Sequence, residues 1–412
     1  MADKSVLYIS YDGMTDNLGQ SQVIPYLAGL SKHGYSITIL SFEKKQNYAE
    51  NKEKISTLLS SNSITWNPLP YTPKPPVLST LWDIRMMYKT AKKICLEKNI
   101  KIIHCRSYIS AIVGLKLKEK IGTKFIFDMR GFFADERVEG KIWNLKNPAF
   151  KLIYKYFKKQ EIKFLNHSDY SISLTEAGKN YIMSRKDIRD SIKIKVIPCC
   201  ADLNHFNYQN ISEDIKLATR KHFAYKTEHE IYTYLGSIGT WYLLNEMLNL
   251  YLEIHKNNTN ARFLFLTADK PSEILEKAEA KGIPTEFIQI QKVQRAELPA
   301  LLSISKASVF FIIPAFSKTA SSPTKMGELM GMGIPLICNS NVGDVSHIME
   351  DTNTGLIVND FSKETLHNIA LKCKDLDTFN KEEIRKGAIK WYSLDEGVLK
   401  YKNVYDAVLH ND

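Results

Sequence analysis

The sequence predicts an α/β protein built of two doubly wound parallel-sheet domains facing a cleft. Three observations carry the prediction. At 412 residues the chain is too long for one ordinary core. Short apolar runs of strand length alternate with amphipathic helical stretches, the pattern of parallel strands covered on both faces. That alternation breaks off in a polar stretch and then starts again.

In the first series the strand candidates are VLYISY (6–11), SITILSF (36–42), KIIHCRS (101–107), KFIFDMRG (124–131), YSISL (170–174) and IKVIP (194–198). Between the first two lies QVIPYLAGLSKHG, a helical pattern that Gly34 would end. The second series is EIYTYLGSIG (230–239), ARFLFLTAD (261–269), EFIQIQK (286–292), ASVFFIIP (307–314), IPLICN (334–339) and GLIVN (355–359). Residues 201–229 are polar and without a strong period, so a linker is placed there, with domains at 1–205 and 206–385. The tail, 386–412, carries Val398, Tyr401, Tyr405 and Val408 at helical spacing. Such a stripe needs a surface, and the tail is expected to pack back on the amino-terminal domain. Ligands of doubly wound folds bind at the carboxyl ends of the strands.

Composition narrows the function. Hydrophobic residues make up 44% and charged residues 25%, as in a folded globular protein. Lysine and arginine (56) exceed aspartate and glutamate (45), for a formal charge of +11. That excess favours nucleotides, an anionic membrane surface or nucleic acid; no zinc-finger or RNA-binding signature accompanies it, so no nucleic-acid partner is expected. The six cysteines lack CxxC spacing and several sit in apolar runs, which argues against disulfides or zinc and for a reducing cytoplasm. The ten histidines lack metal-ligand spacing, and the acidic pair Asp375 and Asp377 reads as a solvated helix end. MADKSVLYISYDG reaches a strand at once, so no secretory leader is expected, and no apolar run has the length of a membrane span. The expected location is cytoplasmic, peripheral at the inner membrane face.

The densest chemistry lies in SSPTKMGELMGMGIP (321–335). Ser322 suits an N-cap and Pro323 a first helical position, so a helix is expected to start here. Its preceding strand puts that start at the carboxyl edge of a sheet, where free amides and the helix dipole favour a phosphate. Lys325 adds a cation in the first turn. Glu328, three residues on, shares its face and can accept hydrogen bonds from the vicinal hydroxyls of a ribose. A solvent-exposed ion pair of little worth is the bland reading. Upstream, FSKTASSP gathers Lys318 with Ser317, Thr319, Ser321 and Ser322, which favours the phosphate.

At these residues the sequence resembles the retaining glycosyltransferases of family 4, whose GT-B fold pairs two Rossmann-like domains. The likeness runs over nearly the whole chain, and MGELMGMGIPLIC is similar to the family's E-x-M-A-x-G-x-P-V-I stretch. The resemblance implies that Glu328 holds the donor ribose. It also implies a glutamate facing the donor sugar eight residues earlier, where this chain has Ala320. SSPTK looks like a variant of polysaccharide-assembling members. LGSIGTWY (235–242) is similar to the first loop of the family's carboxyl-terminal domain, where Gly236 and Gly239 would let the backbone approach a ligand. The arginine and lysine that the family brings from that region are missing, so Lys318 and Lys325 are the substitutes. The donor set is therefore Gly236, Ser237, Gly239, Thr240, Ser321, Ser322, Thr324, Lys325 and Glu328, with Lys318, Lys325 and Glu328 the catalytic candidates.

For the acceptor, YDGMTDNLGQSQ (11–22) looks like the family's glycine-containing loop, with Gly13, Gly19 and Gln20 lining the cleft. FDMRGFFADERVEG (127–140) offers Asp128, Arg130 and Asp135, either to an acceptor or to an internally paired network. His104 and Arg106 stand at another strand end, the histidine with packing as its alternative. Residues 150–165 set Phe150, Ile153, Phe157 and Phe164 against five lysines, either as a helix that docks on anionic lipid or as a crossover helix with a solvated lysine face. The resulting expectation is transfer of a sugar from a nucleotide-diphosphate sugar to a saccharide or lipid-linked acceptor hydroxyl, without metal or cofactor. A nucleotide-sugar epimerase and a non-catalytic nucleotide-sugar-binding homologue are the rivals.

Overall fold

The computed structural model describes residues 4–410. The chain forms two compact units, one reaching to Pro198 and taking back the segment from Leu394, the other running Cys199–Ser393. The first unit holds a seven-stranded parallel sheet of β1 (Ser5–Ser10), β2 (Ser36–Glu43), β3 (Thr65–Pro70), β4 (Ile102–Arg106), β5 (Lys124–Asp128), β6 (Tyr170–Ser173) and β7 (Ile194–Val196), in the order β3-β2-β1-β4-β5-β6-β7. The second holds β8 (Glu230–Leu235), β9 (Ala261–Leu266), β10 (Ile288–Gln291), β11 (Ser305–Phe310), β12 (Leu336–Asn339) and β13 (Gly355–Val358), in the order β10-β9-β8-β11-β12-β13. In each sheet the chain winds outward from a central strand and then restarts on its other side. The loops after β1 and β4, and after β8 and β11, therefore diverge at a switch point where such sheets receive ligands.

Strand β3 is the element the sequence pattern misses. It contains Pro68 and Pro70, exposes much of its length and lies at the sheet edge, where proline costs no ladder bond. The polar stretch at 201–229 is also more than a linker: it holds the helix Glu213–His222, capped by Ser212 on the amide of Ile215 at 3.3 Å. Only Thr219 of that helix is buried, so it writes no apolar stripe into the sequence.

The boundary at the carboxyl end falls at Leu394 rather than 386. The helix Lys381–Tyr392 stays with the second unit, where Arg385 donates to the carbonyls of Leu203, Phe206 and Gly331 at 2.7–2.9 Å. The last helix, Leu394–Leu409, buries Val398, Tyr401, Val404, Tyr405 and Val408 in the first unit. It packs on the helix Ile24–Lys32 so closely that a Cβ on Gly29 would stand 2.5 Å from a Val398 methyl.

In the helix Pro148–His167, Phe157, Phe164 and Leu165 face the core. The apolar stripe that the sequence offered to lipid is thus largely internal. The outward face carries Lys151, Lys155, Lys159 and Lys163 with Leu152 and Tyr156, and no exposed carboxylate. Among the described residues no helix is long and apolar enough to cross a membrane.

Candidate active site

Strand β8 ends at Leu235 and the chain turns through Gly236 at φ 102°. The left-handed backbone favours glycine there, and a Cβ would stand 3.3 Å from the ammonium of Lys325, a tight contact. Asp269, just beyond β9, clamps the turn. Its carboxylate accepts from Ser237 Oγ at 3.1 Å, from Thr267 Oγ1 at 3.0 Å and from the amide of Ile238. Gly239 is also left-handed, and Thr240 is exposed beside it.

Beyond β11 the chain forms a short 3-10 turn, Phe316–Ala320, and then the helix Thr324–Gly331. That helix begins one residue later than its sequence suggests. Pro323 occupies the cap position and no side chain caps the first turn, because Ser322 Oγ instead accepts the amide of Cys199 at 3.2 Å. The amino end is therefore open in the way that favours an anion. Ser321 and Thr324 are half-buried beside it. Ala320 is fully buried, so the position of the family's second glutamate faces the interior here.

Lys325 is buried, and aromatic groups surround its ammonium. Nζ donates to Tyr234 Oη at 3.2 Å and lies 3.8 Å from the centre of the Tyr242 ring and 4.2 Å from that of Tyr234. Burial pushes its pKa down to about 7, with Glu328 and Asp269 partly opposing the shift. The Tyr234 hydroxyl, in turn, donates to Ser237 O at 2.6 Å, so the lysine and the glycine turn share one support. Lys318, also buried, sets its ammonium 3.6 Å from the centre of the Trp241 ring. Two cations and an uncapped helix end thus gather at the β8/β11 switch point.

Glu328 leaves Lys325 and turns to Arg295, whose Nη1 donates to Oε1 at 2.6 Å. Burial raises the Glu328 pKa and Arg295 opposes the rise. Sequence reasoning missed Arg295, Asp269 and the aromatic walls Tyr234, Trp241 and Tyr242. Trp241 and Tyr242 stand inside the glycine motif itself, whereas Arg295 carries no local signal 33 residues from its partner.

The first unit distributes its candidates differently. His104 and Asp128 are buried and bound to the last helix: His104 Nδ1 meets Tyr405 Oη at 2.7 Å, and Asp128 Oδ2 accepts from Tyr401 Oη at 2.9 Å and meets His104 Nε2 at 3.3 Å. Burial lowers the His104 pKa, against the opposing pull of Asp128. Asp128 resists burial because Arg130, His104 and Arg106 hold its carboxyl at about 2. Asp135 is bound by Tyr154 Oη and Lys158 Nζ, both at 2.8 Å, and Lys158 continues to the buried Glu161. Of the two readings left open for Asp128 and Asp135, the internal network is the one these contacts describe, and His104 belongs to it.

Gly19 lies in a helix, Asn17–Gln22, not in a loop, and a Cβ there would stand 2.2 Å from Gly13 O. Gln20 donates to Thr15 O at 3.1 Å. The loop itself hangs on Glu43, whose carboxylate accepts from the amides of Met14 and Thr15 at 2.8 and 3.1 Å. Arg106, at the end of β4, reaches Asp12 of that loop with Nε at 3.2 Å. Arg130 stands 3.7 Å from Asp128. Arg106, at the end of β4, and Arg130, just beyond β5, are cations at the carboxyl edge of this sheet.

The family model described as Glycosyltransferase Family 4 matches residues 20–205, and the one described as Glycosyl transferases group 1 matches residues 216–389. No curated protein matches the sequence. Among solved structures, a glycosyltransferase from Rickettsia africae is 16% identical at a TM-score of 0.73, with 100% of both chains covered. The Anabaena protein Alr3699/HepE in complex with UDP and glucose is 12% identical at 0.70, covering 98% of this chain and 100% of its own. Sucrose-phosphate synthase from Thermosynechococcus elongatus is 13% identical at 0.71, covering 99% and 100%. At such identities the structures speak for the fold, and the two family models, which span most of the chain between them, speak for its descent: this chain belongs to the group 1 glycosyltransferases, with the two-sheet GT-B fold.

Proposed function

We propose that this glycosyltransferase moves a sugar from a UDP-sugar to a hydroxyl of a saccharide or lipid-linked saccharide, retaining the anomeric configuration, in the assembly of a cell-surface polysaccharide. One observation carries the reading. The Lys325 ammonium is buried against tyrosine faces and a phenol rather than a carboxylate, at an uncapped helix start one turn from Glu328. A desolvated cation without an anionic partner is costly. A diphosphate seated on the helix end would supply the missing charge, and Glu328 would accept from the ribose beyond it. The complexes of the Anabaena protein with UDP and with UDP-glucose support uridine as the base.

In the reaction the bond from the anomeric carbon to the phosphate oxygen breaks as the acceptor oxygen bonds to that carbon. The acceptor proton passes to the departing phosphate. The transition state has oxocarbenium character, and its chief need is a positive field on the leaving diphosphate. Lys318, Lys325 and the helix amides provide it. Gly236, Ser237, Gly239 and Thr240 line the donor, with Asp269 fixing their turn. Arg106 and Arg130 are the proposed acceptor contacts in the first unit.

The lysine face of Pro148–His167 is the proposed contact with an anionic membrane surface, with Leu152 and Tyr156 as its apolar anchors. The test of the whole reading is turnover of a UDP-sugar in the presence of EDTA. Activity is expected to persist in the wild type and to vanish in Lys325→Ala and Glu328→Ala. Full turnover in both variants would remove the assignment, and consumption of donor without acceptor would favour an epimerase.

A further inference from the structure

We infer that Arg295 is a positioning residue for nucleotide recognition: it holds the Glu328 carboxylate charged and oriented to accept from the ribose hydroxyls of the donor. The inference rests on the reading of Glu328 as the ribose ligand and adds the group that makes that role possible. Two vicinal hydroxyls that both donate need a carboxylate; a protonated acid offers one donor and less acceptor capacity. Glu328 is buried in the helix Thr324–Gly331, and burial favours the protonated form of a carboxyl. Burial raises its pKa, and the group that most opposes the rise is Arg295.

Arg295 is itself well held. Its guanidinium lies 5.0 Å from the centre of the Phe206 ring, and its carbonyl accepts from His205 Nε2 at 3.0 Å. The turn Arg295–Glu297 that carries it is closed by a reciprocal bond pair, with Glu297 accepting the amide of Gln294 at 2.9 Å. The Arg295 side chain is 42% exposed and that of Glu328 7%, so the ion pair meets solvent on the arginine's side. The other charged or titratable groups that bear on Glu328 are Lys325 and His205, and both act in the same sense as Arg295. Lys325 is bound to its own aromatic pocket and donates nothing to the carboxylate, so the ion pair with Arg295 is the direct one.

The experiment is calorimetric titration of the full chain with UDP and with 2′-deoxy-UDP, near pH 6 and near pH 8.5. The variants are Arg295→Gln, Arg295→Lys and Glu328→Gln. Wild type should prefer the ribonucleotide by about tenfold at both values, the weight of a hydrogen bond to a charged group. In Arg295→Gln the preference should fall, and fall further near pH 6 than near pH 8.5, because the buried acid is protonated more readily without its cation. Arg295→Lys keeps the cation and should keep the preference at both values, which carries the test if the glutamine variant does not fold. An Arg295→Gln protein with the wild-type ratio at both values, or an Arg295→Lys protein without any preference, overturns the inference. If wild type does not bind UDP, or if Glu328→Gln keeps the ratio, the failure lies with the donor-site reading itself and takes the inference with it.

Discussion

Replacing Lys325 by methionine should stabilise the protein while abolishing its response to nucleotide. The fall in the Lys325 pKa from 10.5 to about 7 corresponds to about 5 kcal/mol of disfavoured charge, at 1.36 kcal/mol per unit. Burial is the largest cause of that shift, and the protein carries its cost near neutral pH. Methionine has a similar length and no charge, so the variant should gain stability near neutral pH.

The pH dependence gives the gain a signature. Between about 7 and 10.5 the unfolded chain holds a proton on Lys325 that the folded chain has released. Wild-type stability therefore rises with pH across that window. The methionine variant lacks this rise, so its advantage should shrink by about 2 kcal/mol between pH 7 and pH 9, at 1.36 kcal/mol per unit. Urea unfolding near pH 7 and near pH 9, with and without UDP, measures both effects. UDP should raise the wild-type midpoint and leave the variant unmoved. A variant less stable than wild type near pH 7, or one stabilised equally by UDP, would refute the reasoning and leave Lys325 as an ordinary core lysine.

Three further outcomes follow from the other contacts. Asp269→Asn should release the glycine turn at Ile238 and Ser237, lowering UDP affinity by about tenfold in calorimetry while costing only about 1–2 kcal/mol in urea unfolding. Asp128→Asn should cost about 3 kcal/mol, because a buried carboxylate loses its charge while Arg130 stays beside it. The wild-type carboxylate contributes stability above its ordinary 3.8 that is lost as the pH falls towards about 2, so acid unfolding should lose this component in the asparagine variant. Reversing Lys151, Lys155 and Lys159 to glutamate should abolish sedimentation with phosphatidylglycerol vesicles, at roughly 1 kcal/mol per lysine removed, and leave UDP binding intact; unchanged sedimentation would discard that surface.

The strands buried on both faces were legible because their apolar runs needed no partner to be recognised. β3 was not, since an edge strand tolerates prolines that would disqualify a central one. The helix carrying Lys325 was legible from its proline, its serines and the strand before it. Its true cap was not, because Ser322 is claimed by a backbone amide more than a hundred residues away. The same limit applies to the site. Lys325 and Glu328 sit three apart in one motif, but what distinguishes them physically comes from Tyr234, Tyr242 and Arg295 on other strands and loops. For His104, Asp128 and Asp135 the sequence left acceptor contact and internal pairing both open, because their partners, Tyr401, Tyr405, Tyr154 and Lys158, are distant in the chain.

A crystal structure of the complex with UDP would show directly whether the helix Thr324–Gly331 and Lys325 receive the diphosphate. Diphosphate oxygens are expected at hydrogen-bond distance from Lys325 Nζ and the first-turn amides of Thr324–Gly331, with a ribose hydroxyl on Glu328. Nucleotide bound elsewhere, with Lys325 still enclosed by its tyrosines, would contradict that placement.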